Sequence, residues 1–234
     1  SQLAKYVTAR TKALILNSPS NPTSSVYSPE EIRALASFVK EHALIAVSDE
    51  IYEKFLFDGR RHQSLAAVDG ETKHLTVTVN GHSKAFAMTG WRIGYLAARK
   101  EIAQAVANLQ SHSTSNPPSF AQAGAVVALG SDPGDMEKMR LLFEKRRDLI
   151  FNEVAAIPKL EPFKPQGAFY LFCGIEKTGM TSMAFCEKLL DAKLVSCVPG
   201  RPFGADQHIR LSFATSEDNI VKGVRRIKEF VESL

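Results

Sequence analysis

Lys84 and Arg92 stand eight residues apart in the stretch Asn80-Gly81-His82-Ser83-Lys84-Ala85-Phe86-Ala87-Met88-Thr89-Gly90-Trp91-Arg92-Ile93-Gly94-Tyr95. An apolar, β-branched run leads into it (Leu75-Thr76-Val77-Thr78-Val79) and a second one leads out (Ile93-Gly94-Tyr95-Leu96-Ala97-Ala98). The stretch from Asn80 to Tyr95 holds three glycines and the chain's lone tryptophan, which a plain turn does not need. A covalent cofactor site does need such a set: a lysine that can give up its proton, a fixed cation for a phosphate, and small residues that leave backbone room. Lys84 reads as a Schiff-base lysine and Arg92 as its phosphate anchor.

Two other polar groups fall just after apolar runs, Asn21 after Leu14-Ile15-Leu16-Asn17 and Asp49 after Leu44-Ile45-Ala46-Val47. Taken singly, Asn21 is a turn former, Asp49 a helix cap and Lys84 a surface lysine. Taken together with Arg92 they fit pyridoxal phosphate. Its aldehyde takes a lysine amine, neutralised by burial or nearby positive charge. Its ring works as an electron sink while a carboxylate such as Asp49 keeps the pyridine nitrogen protonated. Its phenolic oxygen takes donors, for which Asn21 and Tyr52 are candidates, and its phosphate matches the Arg92 guanidinium.

These groups need a sheet whose strand ends meet at one edge. Short continuous apolar runs over 11–17, 44–47 and 75–79 predict buried strands, and a helix begins at Ser28-Pro29-Glu30-Glu31, with Ser28 as N-cap and Pro29 at the first helical position. Strand, helix, strand, looser connection, strand is the pattern of a mostly parallel sheet covered on both faces, with ligands beyond the carboxyl ends of its strands. Residues 1–6 read as the tail of a helix, and 101–110 and 119–129 as helices. Gly130-Ser131-Asp132-Pro133-Gly134 is the clearest punctuation, dividing a large domain over 1–131 from a small one over 132–234. The small domain opens with a helix near 135–156 and adds strands over 168–172, 194–198 and 207–213 and helices over 181–191 and 216–233.

Five motifs, in order and spacing, resemble class I/II aminotransferases, which are fold-type I pyridoxal phosphate enzymes. They are Leu16-Asn17-Ser18-Pro19-Ser20-Asn21-Pro22-Thr23, Ser48-Asp49-Glu50-Ile51-Tyr52, Ser83-Lys84 through Gly94, Gln166-Gly167-Ala168-Phe169-Tyr170 and His208-Ile209-Arg210-Leu211-Ser212. The wording around Lys84 is most similar to the bacterial aspartate aminotransferase branch that also contains prephenate aminotransferases. The resemblance implies an α/β fold comprising the C-terminal part of the cofactor-binding large domain plus the small α/β domain. It implies that Lys84 carries the cofactor and shuttles a proton, that Asp49 pairs with the pyridine nitrogen, and that Tyr52 and Asn21 hold the phenolic oxygen. Arg92 would bind the phosphate, while Arg210, with Asn21, would hold the substrate's α-carboxylate. Without the resemblance, Arg210 reads only as a strand-end charge. The Asn21-Pro22 bond is often cis in this family.

Two positions depart from the family pattern. Gly81 stands where a phosphate-binding serine is common, and Ser24 where Asn-Pro-Thr is usually followed by glycine. The family also carries, before the first strand seen here, a segment supplying the main phosphate cradle, the ring stacked on the cofactor, and side-chain contacts to substrate. The resemblance therefore implies a C-terminal portion, with weak or no cofactor binding and no turnover alone. The intact protein would be a cytoplasmic homodimer acting on an amino acid, aspartate-like, and a 2-oxo acid. Alternative readings are a carbon–sulfur β-lyase of the same fold, the effector domain of an aminotransferase-like transcription regulator, and an inert half-core.

Composition excludes other classes. With 234 residues, 44% hydrophobic and 23% charged, the chain has the make-up of an ordinary globular protein. It has no apolar run near the roughly 18–20 residues of a membrane span. The net charge of +4 is spread among acids. Its densest basic cluster, Lys145-Arg146-Arg147, lies in a helix-like run and reads as a solvated face, so no nucleic-acid partner is expected. The six histidines and three cysteines show no metal-ligand spacing, and the odd cysteine count suggests reduced thiols. Residues 1–10 have no signal-peptide core. Trp91 reads as a packing residue and His82 as a neighbour of the cofactor lysine without further support.

Overall fold

The computed structural model describes residues 2–234; Ser1 lies outside the described residues. The chain forms two compact units. One takes in the chain up to Ser18, Tyr27–Glu53 and Arg61–Asp132; the other takes in Pro19–Val26, Lys54–Arg60 and Pro133–Leu234. The segments Pro19–Val26 and Lys54–Arg60 thus pack with the second unit although they lie within 1–131.

The first unit is built on strands β1 (Ala13–Asn17), β2 (Ile45–Asp49), β3 (Thr76–Gly81) and β4 (Gly94–Ala97), in the order β1-β2-β3-β4. The first three are parallel and β4 runs antiparallel to β3. Helix α1 (Pro29–Glu41) starts as its sequence requires. The Ser28 hydroxyl accepts the Glu31 N–H while the Glu31 carboxylate accepts the Ser28 N–H, satisfying two otherwise orphaned donors. Ile32, Leu35, Ala36 and Val39 of α1 bury against Leu16 and Ala46 of the sheet.

The remaining elements of this unit are α2 (Gly70–Leu75), capped by Asp69, α3 (Lys100–Ser113) and α4 (Ser119–Leu129). Helix α2 falls where a loose connection is expected, because six residues with one leucine show no readable periodicity. Residues 2–6 form a short exposed 3-10 helix rather than the tail of an α-helix. The sheet is also not covered on both faces by the described residues: Ile15 of β1 is 77% exposed. It projects to the face opposite Leu14 and Leu16, whose side α1 covers, because neighbouring side chains alternate along a strand.

The second unit packs α5 (Pro133–Ala155), α6 (Ser182–Lys193) and α7 (Glu217–Glu232) with a sheet of order β5-β6-β8-β7. Its strands are β5 (Glu161–Pro162), β6 (Tyr170–Gly174), β7 (Val198–Pro199) and β8 (His208–Ser212), all paired antiparallel. Ile150 and Val154 from α5, Phe185 and Leu189 from α6, and Ile220, Val224, Ile227 and Phe230 from α7 close the core around Leu171, Ile209 and Leu211. The strand expected over 194–198 shrinks to Val198–Pro199. Leu194 ends α6 in the left-handed conformation (φ 54°), so the next residues must turn back before pairing.

The solvated basic face expected over 145–147 is also corrected. Arg147 is 1% exposed. Its guanidinium makes two hydrogen bonds to Asp58 (3.0 and 2.7 Å), donates to the Pro165 carbonyl at 2.6 Å, and lies 5.0 Å from the centre of the Phe57 ring. A planar fork of donors tolerates burial when its carboxylate and carbonyl partners are in place. Arg147→Ala is expected to lower unfolding stability by about 2–4 kcal/mol. The exposed neighbouring substitution Lys145→Ala should change it by less than about 0.5 kcal/mol; paired urea titrations check this. Hydrogen bonds from Arg147 hold the Asp58 carboxyl below its usual range. Its share of the stabilisation is therefore full above about pH 4 and is lost as pH falls through the lowered value.

Candidate active site

Because β1, β2 and β3 run parallel, their carboxyl ends share one edge of the first unit, where β2 ends in Asp49 and the loop after β3 carries Lys84. Asp49 is the last residue of β2. Its Oδ1 accepts the Ile51 N–H at 3.1 Å, so it opens a tight turn rather than capping a helix. Its backbone carbonyl accepts the Ser18 N–H and the Asn17 side-chain amide, both at 3.2 Å. Burial raises the Asp49 carboxyl, the Ile51 N–H opposes that, and the Glu50 charge adds to it.

Glu50, which the sequence reading left without a role, anchors this turn. Its buried carboxylate accepts from Ser48 (2.9 Å), Ser64 (2.8 Å) and lies 2.8 Å from His62 Nε2. Burial pushes this carboxyl up, but the His62 and Ser64 hydrogen bonds outweigh it and hold it low. The signal in the sequence was an acid placed directly after a buried strand. Glu50, Glu53 and His62 also bring ligand atoms within 4.8 Å of one another. Of this group, Glu50 is already engaged by Ser48, Ser64 and His62.

Tyr52, two residues further, is buried, and the Lys84 Nζ lies 5.8 Å from the centre of its ring. Lys84 itself is half-buried in a compact loop. Phe86 and Met88 donate to the His82 carbonyl (3.2 and 3.4 Å), Ala87 donates to the Lys84 carbonyl (3.2 Å), and the Thr89 hydroxyl donates to the Ser83 carbonyl (3.0 Å). Arg92 closes the loop in the left-handed conformation (φ 52°), its Nη1 donating to the Thr89 carbonyl at 2.9 Å. His82 is buried, stacked on Phe86 at 5.2 Å, and neither ring nitrogen has a hydrogen-bond partner. A buried imidazole left unsatisfied marks a place where a further polar group belongs. Trp91 packs as expected: its ring lies so close to Gly124 of α4 that a Cβ there would sit 2.5 Å from it.

The glycine at position 81 has a structural reason. Gly81 pairs with Gly94 across β3 and β4, and a Cβ at Gly81 would lie 3.0 Å from both the Gly94 Cα and the Ile93 carbonyl. The strand pair is too close for serine without a shift.

In the second unit, Arg210 lies within β8 rather than at a strand end, paired with Phe172 and Val198. Its Nη1 donates to the Asn21 Oδ1 at 2.6 Å, and its guanidinium sits 4.3 Å from the Tyr170 ring centre and 5.5 Å from that of Phe203. Its Nε is buried without a hydrogen-bond partner. The Asn21 loop, with a cis Asn21-Pro22 peptide, is clamped by the Gln166-to-Tyr170 motif. The Ser24 carbonyl accepts from Gln166 and Gly167 (2.9 and 3.1 Å), and the Gln166 side chain accepts the Val26 N–H at 2.9 Å. Ser24 adopts the φ of 57° that glycine usually supplies, and its hydroxyl accepts the Tyr170 N–H at 3.3 Å. So the structure brings Asn21 and Arg210 together in one unit, and Asp49, Tyr52, Lys84 and Arg92 lie in the other.

A half-buried lysine, a half-buried carboxylate, a phenol, a guanidinium and an unsatisfied imidazole are a donor set that fits pyridoxal phosphate. The family model for aminotransferase class I and II matches residues 1–227. Aspartate aminotransferase from Bacillus subtilis is 44% identical over 99% of this chain and 60% of its own length. The probable aspartate/prephenate aminotransferase of Aquifex aeolicus is 44% identical over 97% of this chain and 59% of its own. Among solved structures, the aromatic aminotransferase from Pyrococcus horikoshii superposes with a TM-score of 0.94 at 40% identity, covering 99% of this chain and 63% of that one. Thermus thermophilus aspartate aminotransferase with maleate superposes at 0.89 and 40%, covering 97% and 59%. The chain spans about 60% of the length of the curated relatives it matches. Fold and family model agree: the chain has the fold-type I α/β architecture and belongs to the class I and II aminotransferases.

Proposed function

We propose that the protein is a pyridoxal-phosphate-dependent aminotransferase that moves an amino group between an aspartate-like amino acid and a 2-oxo acid. The observation that carries this reading is the arrangement of Lys84 beside the buried Tyr52 at the edge where β2 ends in Asp49. The substrate class rests on the aspartate aminotransferases among the relatives, one of them solved with maleate, a dicarboxylate.

When bound, pyridoxal phosphate supplies a conjugated electron sink for the substrate's amine. Asp49 holds the proton at the ring nitrogen, and its half-buried carboxylate suits a cationic partner better than water. Tyr52 and Asn21 orient the phenolic oxygen, and Arg92 binds the phosphate. Lys84 Nζ would take the proton from the substrate Cα and hand it on, which requires a flexible amine held near the reacting carbon. Arg210 grips the α-carboxylate, with its guanidinium already fixed by Asn21 and the Tyr170 ring. The reading includes a cytoplasmic homodimer. Phe120, Val126, Val127 and Leu129 of α4, each more than 60% exposed, support a further interface. No helix of the described residues is long and apolar enough to cross a membrane.

Borohydride treatment of the full-length protein with pyridoxal phosphate is expected to fix the cofactor on the peptide containing Lys84. Lys84→Ala should abolish both that mass label and amino transfer. A label on another lysine, normal turnover by the variant, or release of ammonia and pyruvate in place of a transferred amino group would overturn the assignment. Asp49 generates a second expectation. Burial raises its carboxyl in the cofactor-free fold, so its ionised form costs stability above the ordinary carboxylate range. Asp49→Asn keeps the acceptor for the Ile51 N–H and removes the charge. Its urea midpoint without cofactor at pH 7 should therefore rise, while amino transfer is lost.

A further inference from the structure

The mechanism leaves one pair of nucleophiles unused. Cys186 lies on the inner side of α6 beside Phe185 and Leu189, and Cys197 packs partly buried against the same core just before β7. The left-handed turn at Leu194, whose N–H donates to the Leu190 carbonyl at 2.9 Å, sends the chain back along the helix it has just left. Two thiols eleven residues apart thereby face each other, with 3.2 Å between their sulfurs. A disulfide bond measures about 2.05 Å, so the gap to be closed is little more than an ångström. A cavity of about 160 Å³ lies against Val195 and Ser196, the two residues that lead into Cys197.

We propose that Cys186 and Cys197 are a redox modification site that closes to a reversible intramolecular disulfide when the protein meets a hydroperoxide. The hydrogen bond from Cys197 pulls the Cys186 thiol down against the effect of burial, and the same bond together with burial pushes the Cys197 thiol up. Cys186 is therefore the attacking thiolate. Its sulfur bonds to the terminal peroxide oxygen, the O–O bond breaks, and water or an alcohol leaves. The Cys197 sulfur then attacks the resulting sulfenic acid: the S–S bond forms, the S–O bond breaks, and hydroxide departs as water with the Cys197 proton. Two thiols lose two electrons and one hydroperoxide gains them. Cys173 is a spectator: it is fully buried, and burial pushes its thiol up to about 12. The bond would tie α6 to β7, whose Val198 is the cross-strand partner of Arg210.

Thiol titration in denaturant of the full-length protein, before and after hydrogen peroxide, tests this. Among the thiols of this chain the count should fall from three to one and return to three with dithiothreitol. Trypsin cuts after Lys188 and Lys193, between the two cysteines. A non-reducing digest should therefore show the Cys186 and Cys197 peptides joined only in the oxidised sample. Cys173→Ser should leave that linkage intact, and Cys197→Ser should abolish it and leave a Cys186 sulfenic acid that dimedone traps. The proposal is overturned if all three thiols survive peroxide that oxidises a free-cysteine control. It is equally overturned if the linkage involves Cys173, or if Cys186 proceeds to sulfinic acid in the wild type without joining Cys197.

Discussion

Two adjacent carboxylates at the end of a parallel strand repel each other, and burial penalises both. The first unit resolves this by giving them unequal surroundings. Glu50 is saturated by two serine hydroxyls and His62, so it stays ionised at modest cost. Its charge then adds to the effect of burial in raising Asp49, whose Oδ1 accepts a backbone N–H. One acid becomes an anchor and the other a poised group. The anchor also fixes the chain path: His62 and Ser64 can reach Glu50 only if the chain returns to β2 after Lys54–Arg60, and the first unit resumes at Arg61.

That excursion, and the one over Pro19–Val26, are held by interactions proper to the second unit. Phe57 is buried in its core, Asp58 meets Arg147, and Leu56 forms an isolated antiparallel bridge with Gly167. A Cβ on Gly167 would lie 2.7 Å from the Phe55 carbonyl and 2.9 Å from Pro19, so both excursions press on the one residue. The Gln166-to-Tyr170 motif is therefore a clamp for backbone, which explains its composition: a long amide for a distant N–H, a glycine for close approach, an aromatic ring under Arg210.

The parallel core of the first unit was legible because buried strands leave continuous apolar runs and because α1 carries its own start signal. The polar residues at the strand ends stood out for the same reason, since they directly follow buried runs. Arg147 was not legible. A basic triplet on a helix looks solvated until the partner at Asp58, far away in sequence, is known. Glu50 was hidden behind Asp49 for a similar reason, because its partners are two serines and a histidine that the sequence scatters. Arg210 could not be told from an ordinary charge, since its value comes from Asn21 and the Tyr170 ring, neither near it in the chain.

Backbone strain recurs in the candidate motifs of each unit. Non-glycine residues with positive φ include Ala87, Arg92 and Ala168, each within a motif that carries candidate chemistry, and Ser24, directly after one. Each costs about 1 kcal/mol or more relative to an ordinary conformation and persists only where surrounding bonds over-determine it. Those bonds are visible: Tyr170 to Ser24, Lys84 to Ala87, Thr89 to Arg92, and Phe55 to Ala168. At Arg92 the left-handed turn re-aims a guanidinium after the short helical turn Thr89–Trp91, whose own ring is pinned by Gly124. A glycine there would relax the backbone and remove the cation. The fold keeps the arginine in this strained conformation, held by its own bond to the Thr89 carbonyl.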